Sequence, residues 1–160
     1  MGAACAALVL GGASMAFAGS GNPASDQATA SATVISPLTV TKQADLAFGK
    51  IVEPTSGSGT ASVAANSGGA MTLSGVTAPG GQTVTAAHFT VTGDGSTAWT
   101  ASVTAPTSLT SGGNSIPFAV SNSTLTGSPA DVYVGGAITV ASTTVPATYT
   151  GAITVRAQYN

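Results

Sequence analysis

Charge is what this sequence has least of. Its 160 residues include three Lys or Arg, five Asp or Glu and one His, for a formal net charge of −2. Charged residues make up 5% of the chain, against about 25% in an ordinary globular domain. Three cations cannot neutralise a phosphate backbone, which excludes nucleic acid as a partner. Chemistry by paired ionisable groups lacks the groups to carry it. Cysteine is almost absent as well, since Cys5 is the single one. Beyond the N-terminus no apolar run approaches the roughly 20 residues that span a bilayer as a helix. Disorder does not fit either, because 43% of the residues are hydrophobic and disordered chains are poor in them.

What is present begins with a small, apolar segment at residues 3–18, closing on Ala16-Phe17-Ala18. This A-x-A site predicts a signal peptide over residues 1–18, cut before Gly19, although no basic residue precedes the apolar run. The expected destination is extracellular. Cys5 leaves with the signal, so the remaining chain has no disulfide to offset a thin core. Its stability then rests on apolar burial, main-chain hydrogen bonds or a partner subunit. Residues 19–33 read as an N-terminal arm and residues 34–160 as one folded domain.

From residue 28 onward the chain alternates short β-branched runs with Gly, Pro, Ser and Asn clusters. Strands are predicted at 33–41, 46–52, 60–64, 71–73, 88–92, 97–104, 116–121, 132–140 and 148–159. Gly and Pro interrupt every potential helix after residue 20. About nine short strands at this spacing predict an all-β sandwich or barrel. Two segments are explicit. Phe89 and Val91 share one strand face, Gly93-Asp94-Gly95 offers a turn, and Trp99, Ala101 and Val103 share a face of the return strand, which predicts a tight hairpin. At the C-terminus Tyr149, Gly151, Ile153, Val155, Ala157 and Tyr159 alternate with polar or small residues. A period of two sends that set to the core and the other to water.

The chain closes on Gln158-Tyr159-Asn160, and a penultimate Tyr on an alternating strand with an early Gly resembles the last strand of chaperone–usher pilus subunits. The wider pattern is similar to a family of secreted bacterial proteins, domain of unknown function 4402. It is carried by Ile35-Ser-Pro37-Leu-Thr-Val40, Asp45-Leu-Ala-Phe48-Gly49, Phe89-Thr-Val-Thr-Gly93 and the run from Tyr149 to Asn160. The resemblance covers residues 33 to 160. It implies an immunoglobulin-like, pilin-like β-sandwich completed by donor-strand exchange, and a fibre subunit without cofactor. Its implied partners are further copies of the same chain, head to tail, with a periplasmic chaperone and an outer-membrane usher. One departure stands out: many chaperone–usher subunits hold an internal disulfide, and this chain after residue 18 cannot.

On that footing Ala28, Ala30, Ala32 and Val34, alternating with Thr and Ser, are the expected donor-strand residues at the subunit interface. The C-terminal strand, Tyr149 to Tyr159, is expected beside the acceptor groove. The other reading of the arm is the first strand of a self-contained sandwich. Chemistry elsewhere is sparse. A triad would need His88 with Asp45, Asp94 or Asp131, and no G-x-S-x-G elbow presents a serine. Gly93-Asp94-Gly95-Ser96 suits a turn better than calcium, whose alternating acidic ligands are missing. The paired glycines match no phosphate-binding motif. Trp99, Tyr133 and Tyr149 offer the alternative of a secreted carbohydrate-binding or adhesin module, if their rings face solvent.

Overall fold

A computed structural model describes residues 25–122 and 130–160. The expected signal peptide and Cys5 lie outside the described residues. The chain divides after Thr33 into two units. Of the first, residues 25–33 are exposed and form no strand, with the Asp26 carboxylate accepting the Gln27 N–H at 2.8 Å.

In the second unit, short β-branched runs between turn residues give nine strands and no helix among the described residues. They are β1 (Thr39–Ala44), β2 (Ser58–Val63), β3 (Met71–Ser74), β4 (Ala87–Thr92), β5 (Trp99–Thr104), β6 (Ser108–Ser111), β7 (Asn114–Asn122), β8 (Ala130–Ala141) and β9 (Thr154–Tyr159). All pairings between them are antiparallel. The twelve-residue β8 is the hub, meeting β4 along Ala130–Val134, β7 along Val134–Ile138 and β2 along Gly136–Ala141. β1 adds to β4, β3 to β2 and β6 to β7, while β5 and β9 form a separate two-stranded sheet.

The result is an all-β sandwich with two apolar clusters. In one, Phe89, Val91, Val132 and Val134 face Trp99 and the inward residues of β5 and β9. In the other, Ala61, Val63, Ile138 and Val140 pack with Ile116, Phe118 and Phe48. The rings of Phe48 and Phe118 meet edge to face, centroids 6.3 Å apart.

Four expectations need correction. The strand expected at 33–41 forms only from Thr39, because β1 runs Thr39–Ala44 where β4 pairs with it and residues 33–38 lie outside any strand. The hairpin across Gly93-Asp94-Gly95 does not form, because β4 pairs with β1 and β8 whereas β5 pairs with β9. Asp94 instead closes a local turn on Ser96 and Thr97, and the chain crosses from one sheet to the other. Phe89, Val91 and Trp99 therefore meet across the core rather than side by side. Residues 46–52 make no continuous strand and touch the sheet only through bridges at Ala47–Thr85 and Val52–Thr77. Gly49 between them has φ +69°, a left-handed conformation that breaks the run. Finally, β9 starts at Thr154, and of residues 148–153 only Thr150 makes a bridge, to Thr110.

Candidate functional site

The irregular stretches at residues 45–53 and 144–153 lie on opposite sides of one groove. Its floor is core: Phe48, Ile116, Phe118, Ile138 and Val140. Each rim spends its backbone bonds on the side away from the groove. Ala47 exchanges two with Thr85 and Val52 donates one to the Thr77 carbonyl, while Thr150 exchanges two with Thr110. No backbone hydrogen bond joins the two rims among the described residues. Among the described residues neither rim has a backbone partner on its groove side, and the floor between them is apolar, which is the condition under which a sheet accepts another strand.

The direction of each rim follows from the pairings. From β1 through β4, β8, β7 and β6 to Thr150 every step is antiparallel. Five such steps leave the rim at Thr150 running opposite to β1 and its continuation. A strand laid between the rims is thus parallel to one and antiparallel to the other. One end of the seam is closed. There the Tyr159 hydroxyl donates to the Ser36 carbonyl at 2.7 Å and accepts the Asp94 N–H at 3.0 Å. A Cβ on Gly93 would lie 2.5 Å from that hydroxyl, so glycine is what lets the ring come so close. The far end is bordered by Val52 and Val145, each 49% exposed. The Tyr149 hydroxyl holds the second rim's bend by donating to the Val145 carbonyl at 2.7 Å.

The groove measures about 1020 Å³, at the upper limit of the roughly 300–1,000 Å³ typical of small-molecule sites. It is elongated and apolar below, with charge confined to one rim: Lys42, Asp45, Lys50 and Glu53. Lys42 Nζ and Asp45 Oδ1 form an ion pair at 2.8 Å. Neither Lys50 nor Glu53 has an ion-pair partner among the described residues.

The residues singled out in the sequence fall on both sides of this arrangement. Tyr149, Gly151 and Ile153 line the groove, whereas Val155, Ala157 and Tyr159 continue into the other cluster. Their alternation is as expected, yet Gly151 is exposed and the other five are only half-buried. Ala28, Ala30, Ala32 and Val34 are all exposed and outside any strand, Val34 at 94%. Sequence reasoning missed the opposite rim, above all Phe48 and Val52, and missed Val145. Apolar residues next to prolines and charges, as in Val52-Glu53-Pro54 and Val145-Pro146, were the available sign of an edge.

His88 and Asp131 do meet, Nε2 to Oδ1 at 2.8 Å, on the outer face of β4 and β8. Thr90 also donates to Asp131, and the hydrogen bond from His88, against some burial, holds that carboxyl below its ordinary pKa. The His88 ring stacks on Tyr133 with centroids 4.6 Å apart. No serine hydroxyl hydrogen-bonds His88 among the described residues, and no cluster of three metal-ligating side chains occurs among them. Asp45 pairs with Lys42, and Asp94 caps its own turn. Trp99 is 2% exposed and thus unavailable for stacking on a ligand, while one face of Tyr133 is taken by His88. No helix among the described residues is long and apolar enough to cross a membrane.

Fold and site together define a β-sandwich with an apolar-floored groove between two irregular rims. The family description Domain of unknown function (DUF4402) matches residues 38–159, and the chain belongs to that family. No curated protein and no solved structure matches it.

Proposed function

We propose that the chain is the structural subunit of a bacterial cell-surface filament, in which the arm around Ala28–Val34 of one copy fills the groove of the next. The observation that carries this reading is the seam itself: two backbone edges with free hydrogen-bonding groups over an apolar floor. The arm supplies the complement. Its inward set is small and apolar, it stands in solvent, and it precedes the domain directly.

Magnitudes indicate what holds the joint. Burying Val34 contributes about 1.5–3 kcal/mol, and each Ala methyl less than about 1 kcal/mol. Main-chain bonds to two rims add about 0.5–1.5 kcal/mol each, so pairing outweighs side-chain plugging. The contact is heterologous and open, so it grows into a fibre rather than closing a dimer. Export, the signal peptide and assistance by a chaperone and usher belong to the same reading, as does a role without catalysis.

Deletion of residues 19–33 tests it. The full chain should give filaments by negative-stain microscopy, and the truncated one only monomers or amorphous aggregates. Normal filaments from the truncated chain refute the donor role. The carbohydrate-binding alternative gains only if glycan-array binding appears without any fibre and is lost on Tyr133→Ala.

A further inference from the structure

Resting on the donor-strand reading, we infer that Lys42 sets the polarity and register of the inserted strand by pairing with Asp26 of the incoming copy. The distribution of charge leads there. Of three cations and five acids in the chain, two of each lie on the single rim formed by residues 42–53. The facing rim, residues 144–153, has none. Asp26 is the one charged side chain of the arm, and no other Asp, Glu, Lys, Arg or His precedes Lys42. Asp26 shares the even-numbered face with Ala28, Ala30, Ala32 and Val34.

Apolar matching sets the register. Val34 is 94% exposed, and the groove's uncovered valines, Val52 and Val145, stand on its two rims, which run antiparallel and so bring both to the same end. With Val34 seated between them, Asp26 lies eight residues back, about 26 Å along an extended strand. If the arm runs parallel to the rim of residues 42–53, eight residues back from Val52 is Ala44. The kink at Gly49 shortens the rim and moves the match further toward Lys42. In the opposite polarity, with Val34 kept at the same place, the arm leaves the groove past Val52 and Asp26 meets no cation. Only the parallel arrangement satisfies both the valines and the charge.

Lys42 can make the exchange. Its side chain is 57% exposed and that of its present partner, Asp45, 79% exposed. Asp45 stays solvated when the ammonium turns to the incoming carboxylate, so release costs little. An exposed pair of this kind shifts an equilibrium by about 1.5- to fivefold. That is small against the whole joint, but it acts on the choice between two directions of insertion.

The test is cross-linking in polymers of the full chain with Cys5→Ser as background. Asp26→Cys combined with Lys42→Cys should give a disulfide ladder on a non-reducing gel, and Asp26→Cys combined with Lys50→Cys should not. Asp26→Lys should raise the critical concentration for polymerisation about 1.5- to fivefold, and adding Lys42→Asp should restore it. A ladder at Lys50 instead, or no change with Asp26→Lys, overturns the assignment to Lys42 while leaving donor insertion intact. Polymers formed without residues 19–33 overturn the underlying reading as well.

Discussion

Tyr159 ties three segments together with one hydroxyl. It donates to Ser36, accepts from Asp94 and lies where Gly93 leaves room. Tyr159→Phe removes both hydrogen bonds, leaving the exposed Ser36 carbonyl to water and the part-buried Asp94 amide without its acceptor. The expected loss is about 1–2 kcal/mol, read by urea unfolding of dilute subunit. Gly93→Ala forces a methyl into that hydroxyl and into Leu38, and should cost about 1–3 kcal/mol. Combined with Tyr159→Phe it should cost less than the sum, because part of the clash is gone. Strict additivity would show that the two residues do not share the constraint.

Asp94 gives the same region a pH dependence. The Thr97 hydroxyl and N–H, joined by those of Ser96, hold its pKa at about 2 rather than 3.8, despite some desolvation that works the other way. A carboxyl lowered on folding stabilises above its unfolded pKa, and that contribution fades as pH falls from near 4 toward about 2. Acid titration of the wild type should show unfolding shifted in this window, and Asp94→Asn should flatten it. An unchanged profile in the variant would remove Asp94 from the explanation.

At the scale of elements, β-strands were legible wherever one face meets core and the other meets water. β2, β3, β4, β7 and β8 lie within about two residues of the runs read from alternation and β-branching. β6 was not legible, since Ser108-Leu109-Thr110-Ser111 has no apolar alternation of its own and is a strand because β7 pairs with it. The turn at Asp94 was placed correctly and its consequence was not, because local turn chemistry does not say whether the chain returns in its own sheet or crosses to the other. The groove was legible only on the side of the alternating C-terminal run. The other rim is strand-like in composition but kinked at Gly49 and short of pairing partners, information that resides in the neighbours rather than in the run.

Those differences predict unequal protection. Amides of residues 46–53 and 145–153 have few bonds and open locally at little cost, whereas β8 is flanked along most of its length. Hydrogen–deuterium exchange should be fast at both rims in the isolated chain, and slower by at least tenfold in the proposed polymer. β8 should be protected in both. Rims equally protected before assembly would mean that the seam is already occupied.

For the whole molecule, the scarcity of charge has two consequences. Association lacks electrostatic steering, and little repulsion keeps copies apart. In the proposed filament each copy offers one groove and one arm, so a head-to-tail contact leaves every filament with one empty groove and one free arm. A peptide of residues 25–36 should therefore act as a chain terminator. Bound in the terminal groove, it supplies the backbone bonds of a donor but no further domain, so growth stops at that end. Filament length should fall as the ratio of peptide to subunit rises, and the rate should be insensitive to salt between 50 mM and 500 mM apart from the pair proposed between Lys42 and Asp26. A peptide of the same composition with Ala28, Ala30, Ala32 and Val34 moved to odd positions presents Thr and Ser to the apolar floor and should leave length unchanged. If both peptides shorten filaments equally, the groove is reading stickiness and not a strand.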